Sequence, residues 1–126
     1  MPLFQLPQGL IEVAHFKLPS VQTWGTTKDA QYKEMIREIA NLPEELGNEF
    51  QYFVFSIYSV IGQSRRRKQG PDVENIPKLI VDAFTGLLYP DDNLDYVRGV
   101  QVEAVFGNDE QEHSDVWIYG SKKDAL

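Results

Sequence analysis

The twelve residues Phe50–Ile61, FQYFVFSIYSVI, decide the fold. Aromatic and β-branched side chains fill the run, as a strand requires. Phe50, Tyr52, Val54, Ser56, Tyr58 and Val60 fall on one face, and Gln51, Phe53, Phe55, Ile57, Ser59 and Ile61 on the other. Both faces are apolar, so the run predicts a central strand with cover from helices. It lacks the glycine and basic residues of a nucleic-acid stacking platform, which favours core packing over base stacking.

Downstream lies Arg65–Asp92, RRRKQGPDVENIPKLIVDAFTGLLYPDD. It opens on four cations, Arg65, Arg66, Arg67 and Lys68, and breaks at Gly70-Pro71. Two alternate carboxylates follow, Asp72 and Glu74, then an amphipathic segment and a second acidic pair, Asp91 and Asp92. Ile76, Leu79, Ile80, Ala83, Phe84 and Leu87 recur at helical spacing and span about 140° of a helix surface at ~100° per residue. Pro77 fits only in the first helical turn, which places the start at Asn75 or Ile76. Gly86 and Pro90 predict the end. A helix of about 12 residues would carry the chain ~18 Å from its start, so Asp91 and Asp92 must return through the following turn or strand. Asp72 and Glu74 precede the helix in extended chain, where residues two apart point to one side and can share a hard cation. Basic residues that could hold a phosphate backbone thus stand beside acids that could hold a divalent ion, the combination that metal-dependent cleavage of nucleic acid requires. Lys78 and Asp82 lie one turn apart, and an i, i+4 pair between them is expected.

The flanking chain supplies the remaining elements. Leu10–Leu18 reads as a strand of impure alternation, and Asp29–Asn41 as a helix with Tyr32, Met35, Ile36, Ile39 and Ala40 as its buried stripe. Lys28, Lys33 and Arg37 are placed on its solvated side, in ordinary helix ion pairs. Asp95–Phe106 alternates, and His113–Gly120 puts Val116, Ile118 and Gly120 opposite Trp117 and Tyr119; together they are expected to form a terminal hairpin. The expectation is one α+β domain spanning residues 1–126: a mixed four-stranded sheet with two helices packed on one face, in the order β-α-β-α-β-β. His15 and His113 stand alone in sequence and are given structural roles.

Composition narrows the function. The chain has 126 residues, 42% of them apolar, enough for one core. It has no cysteine, which excludes disulfides, thiolate metal sites and cysteine nucleophiles. No signal pattern or apolar run of membrane-spanning length occurs, so a soluble, cytoplasmic protein is expected. The net charge of −7 argues against a simple nucleic-acid coat protein, but the +4 block at Arg65–Lys68 is local, and bound metal would offset part of the acidic charge nearby.

The segment Asp72-Val-Glu74-Asn75-Ile-Pro-Lys78, followed by Asp82-Ala-Phe-Thr-Gly86 and then Asp91-Asp92, resembles the RusA family of Holliday junction resolvases. Its pattern is roughly Asp-x-Asp-Asn-x-x-Lys, then Asp-Ala-x-x-Gly, then Asp-Asp before a strand. Glu74 stands where the family has Asp, and Pro77 interrupts the usual helix start. The resemblance implies a homodimeric, Mg²⁺-dependent endonuclease (Mn²⁺ as a possible substitute) that resolves four-way DNA junctions in recombination and repair. It implies Asp72, Glu74 and Asp92 as metal-ligating acids, Asp91 as assistant or substitute, Lys78 as catalytic cation, and Arg65, Arg66, Arg67 and Lys68 as DNA contacts. The alternative is a non-catalytic relative that binds branched DNA or a protein partner.

Overall fold

A computed structural model describes residues 9–19, 26–65 and 76–123, except for the side chains of 26–29 and 65. Its elements are β1 (Leu10–Leu18), α1 (Thr26–Ala40), β2 (Phe50–Gly62), α2 (Ile76–Ala83), β3 (Val97–Gly107) and β4 (His113–Lys122), the expected β-α-β-α-β-β order. The four strands make one mixed sheet in the spatial order β1-β4-β2-β3. β4 runs antiparallel to both β1 and β2, whereas β2 and β3 are parallel.

β2 is central, as its two apolar faces require. Phe53, Phe55, Ile57 and Ile61 meet Tyr32 and Ile36 of α1 and Ile76 and Ile80 of α2 in the main core. Both helices therefore cover one face of the sheet. On the opposite face Val54 packs with Trp117 and Tyr119, flanked by Tyr52, Tyr58 and Leu10. Phe50 departs from strict alternation. The β2–β4 register shifts between Phe50 and Tyr52, so Phe50 joins the helix-side core. A bulge of this kind adds one residue and returns a side chain to the other face. The same device explains the impure alternation of β1, whose register with β4 shifts between Glu12 and Ala14.

The terminal hairpin is not formed. β3 and β4 are separated by β2, and β3 instead follows β2 through a parallel crossover containing α2. β4 is buried on both faces, through Val116 and Ile118 on one and Trp117 and Tyr119 on the other, so it gains from neighbours on both sides. β3 carries Arg98, Gln101 and Glu103, leaves Val100 and Phe106 exposed, and takes the edge. The buried hydroxyls of Ser59 and Ser114 satisfy each other at 2.6 Å.

α2 is shorter than its periodicity suggests: eight residues, about 12 Å long. Its last turn tightens, with Phe84 N–H donating to Val81 O and Thr85 N–H to Asp82 O. Gly86 follows at a φ of +89°, where glycine escapes the penalty of a side chain. Leu88 and Tyr89 then turn back into the core. In α1 Tyr32 and Ile36 are buried as expected, whereas Ile39 is exposed. No helix among the described residues is long and apolar enough to cross a membrane.

Gly120 tests the packing of Phe50. A Cβ at Gly120 would lie 2.5 Å from the Phe50 ring. Gly120→Ala is expected to destabilise the protein by about 1–3 kcal/mol, measured by denaturant unfolding, because the ring has to leave its site in the core.

Candidate active site

α2 carries the candidate cation into a cleft beside the β3 edge. Pro77, Lys78, Val81 and Asp82 from α2, Asp92 from the following turn, and Val97 and Val100 from β3 line a cleft of about 570 Å³. Helical geometry aligns its α2 wall, since Lys78 and Asp82 are four residues apart. Pro77 stands in the first turn, where its missing N–H costs no helical bond. A second cleft, of about 480 Å³ and including Gly47, Phe50, Leu88 and Tyr89 in its walls, has no carboxylate among its lining residues.

The return of the chain distinguishes Asp91 from Asp92. Asp91 folds onto its own turn: Oδ1 accepts the Asp92 N–H at 2.8 Å, and Oδ2 lies 3.5 Å from the Asn93 amide nitrogen. Asn93 continues the turn by accepting the Asp95 N–H on its side chain at 3.0 Å and the Tyr96 and Val97 N–H groups on its carbonyl. This turn delivers the chain into β3 and places Asp92 at the cleft. Among the described residues the Asp92 carboxylate has no hydrogen-bond or ion-pair partner. The structure thus brings Lys78, Asp82 and Asp92 together. Arg66, Arg67, Lys68, Asp72, Glu74 and the Arg65 side chain lie outside the described residues. Among those described, no three carboxylate or imidazole groups converge to hold a metal ion.

Asp82 does not pair with Lys78. Its Oδ2 accepts from Lys33 Nζ of α1, and its Oδ1 lies 3.4 Å from the Thr85 hydroxyl. One turn along α1, Arg37 Nε donates to the carbonyl of Ala83, a C-terminal acceptor of α2. Lys33, half-buried, and Arg37, exposed, therefore tie α1 to α2 rather than pairing within α1. Sequence reading missed them because their partners lie more than forty residues away, on the facing helix.

Tyr89 was also missed. Its hydroxyl donates to Val81 O at 2.5 Å and closes the end of α2 from within the core. Burial first, and then the negative charges of Asp92 and Asp82, hold its phenol well above the ordinary tyrosine range. Across the sheet, the two lone histidines meet at one carboxylate. His15 Nε2 is 3.7 Å and His113 Nε2 3.3 Å from Asp115, and the His15 ring stacks on Trp117 at 4.4 Å. The antiparallel β1–β4 register makes this meeting, which sequence separation concealed.

A family model for the endodeoxyribonuclease RusA matches residues 11–113, from β1 to the start of β4, and so includes α2, the 91–93 turn and the cleft. No match was found among curated proteins.

Tyr89 gives a pH prediction. The fold favours the neutral phenol, so its contribution to stability is complete below the unfolded value of about 10 and is lost as pH rises from there toward the higher folded value. In Tyr89→Phe, the decline of stability above pH 10, followed by denaturant titration at successive pH values, is expected to lessen by about one proton. Loss of the hydroxyl bond lowers stability at neutral pH by about 1 kcal/mol.

Proposed function

The chain belongs to the RusA endodeoxyribonuclease family, whose members resolve Holliday junctions, and we propose that it hydrolyses phosphodiesters at four-way DNA junctions with Mg²⁺ (or Mn²⁺), as a homodimer acting in recombination and repair. The observation that carries this reading is the placement of Lys78 and Asp92 on one cleft, within the span matched to the family.

The donor chemistry fits a hard cation. Asp92 offers unengaged carboxylate oxygens at the cleft, and Asp72 and Glu74 stand four and two residues, respectively, before the first residue of α2. Asp72, Glu74 and Asp92 would hold the ion, and Asp91 would assist by fixing the turn through its own hydrogen bonds. A bound divalent ion supplies an acidified water and polarises the phosphoryl oxygen. Lys78, exposed at the cleft, stabilises the charge that develops on the phosphate oxygens. Arg65, Arg66, Arg67 and Lys68 hold the DNA backbone and offset the overall acidity of the chain locally. Two such sites related by a two-fold axis suit symmetric nicking of a junction.

The test is cleavage of a labelled synthetic four-way junction beside matched linear duplex, with Mg²⁺, with Mn²⁺ and with chelator. Paired, metal-dependent nicks in the junction alone are expected. Asp92→Asn is expected to reduce cleavage to background, and Lys78→Ala to slow it by roughly 10²–10³-fold. Asp91→Asn should retain more activity than Asp92→Asn, since its carboxylate acts through the turn. Junction binding without cleavage under either metal would overturn the enzymatic reading in favour of a non-catalytic relative.

A further inference from the structure

We propose that Lys33 is a positioning residue for cleavage: it restrains the Asp82 carboxylate on the α1 side of α2 and keeps it from pairing with Lys78. This rests on the reading of Lys78 as the catalytic cation.

The argument is geometric. Lys78 and Asp82 are i, i+4 neighbours, within reach of each other on one helix face, although lysine ahead of the acid is the weaker order for such a pair. Both line the cleft, yet among the described residues Lys78 makes no ion pair. The two Asp82 oxygens are engaged elsewhere, one by Lys33 and the other by Thr85. The Lys33–Asp82 pair is partly sheltered, with side chains 25% and 43% exposed, so solvent weakens it less than it would a pair with the exposed Lys78. The arrangement is also held in register. Lys33 and Arg37 are themselves one turn apart on α1, and they reach consecutive residues of α2, Asp82 and the carbonyl of Ala83. The Arg37 bond thus fixes the height at which Lys33 meets α2. Without Lys33, the nearest cation on the same helix is Lys78. A carboxylate paired there would neutralise the charge that Lys78 offers to the reacting phosphate.

The proposal separates two effects of removing Lys33: loosening of the helices and quenching of Lys78. Lys33→Met keeps the length and apolar stem while deleting the charge. It is expected to lower the cleavage rate constant about tenfold or more, with junction binding unchanged when measured without the catalytic metal. Lys33→Arg should retain activity. Lys33→Met combined with Asp82→Asn also lacks the inter-helix pair but has no carboxylate to capture Lys78, so its rate should recover to within about threefold of wild type. In parallel, heteronuclear NMR of the Lys78 Cε signal should show a shift in Lys33→Met that reverts in the double variant. A double variant as slow as Lys33→Met would overturn the proposal and make the pair merely structural. Full activity in Lys33→Met with an unmoved Lys78 signal would overturn it equally. Wild-type protein that does not cleave, with the Lys78 shift and its reversal intact, would instead refute the nuclease reading and leave the restraint on Asp82 standing.

Discussion

The molecule depends on β2 being apolar on both faces. A strand of this kind has to be enclosed, and each other element contributes to its enclosure. β4 and β3 take its two hydrogen-bonding edges, α1 and α2 cover Phe53, Phe55 and Ile57, and the Trp117–Tyr119 cluster covers Val54 from the opposite side. Cover for the first face requires α2 to cross over the sheet after β2. The crossover then returns the chain parallel to β2 as β3. The candidate cleft lies along this route, with α2 as one wall, β3 as the other and Asp92 on the link between them. Its position is therefore a product of core packing.

Within that frame, α1 serves the site at a distance. Tyr32 and Ile36 anchor it in the core. Its Lys33 and Arg37 engage the C-terminal half of α2, and Tyr89 closes the same helix end from the interior. Three groups from two parts of the chain, α1 and the turn after α2, thus converge on the last turn of an eight-residue helix. A helix this short has little stability of its own. Lys78 is held in place by tertiary contacts more than by local helical propensity.

Much of this was legible in the sequence. The two-faced run at Phe50–Ile61 announced a central strand, and the spacing of Ile76, Ile80 and Ala83 announced α2 and its buried side. The order of elements and the one-sided helices followed. Strand pairing did not: β3 and β4 are adjacent in sequence and look like a hairpin, but the burial of both faces of β4 draws it between β1 and β2. The length of α2 was overestimated because Phe84 and Leu87 keep the helical period while the backbone has already turned at Gly86. Lys78, Asp82, Asp91 and Asp92 were visible as motif residues. Their differing partners were not, because those of Asp82 and the turn bonds of Asp91 depend on three-dimensional placement.

The parallel pairing of β2 with β3 also bears on when the site comes into being. Phe53 pairs with Val97 and Ile61 with Phe106, so the ladder joins segments separated by the whole crossover. Contacts of such long range form late, since the intervening loop has to be closed before they return any stability. Lys78 resides on α2 and Asp92 just ahead of β3, and the two face one cleft once that ladder has closed. A chain still emerging from the ribosome, or one opened at the sheet edge, carries both residues without the cleft. Assembly of the candidate site is thereby tied to completion of the fold.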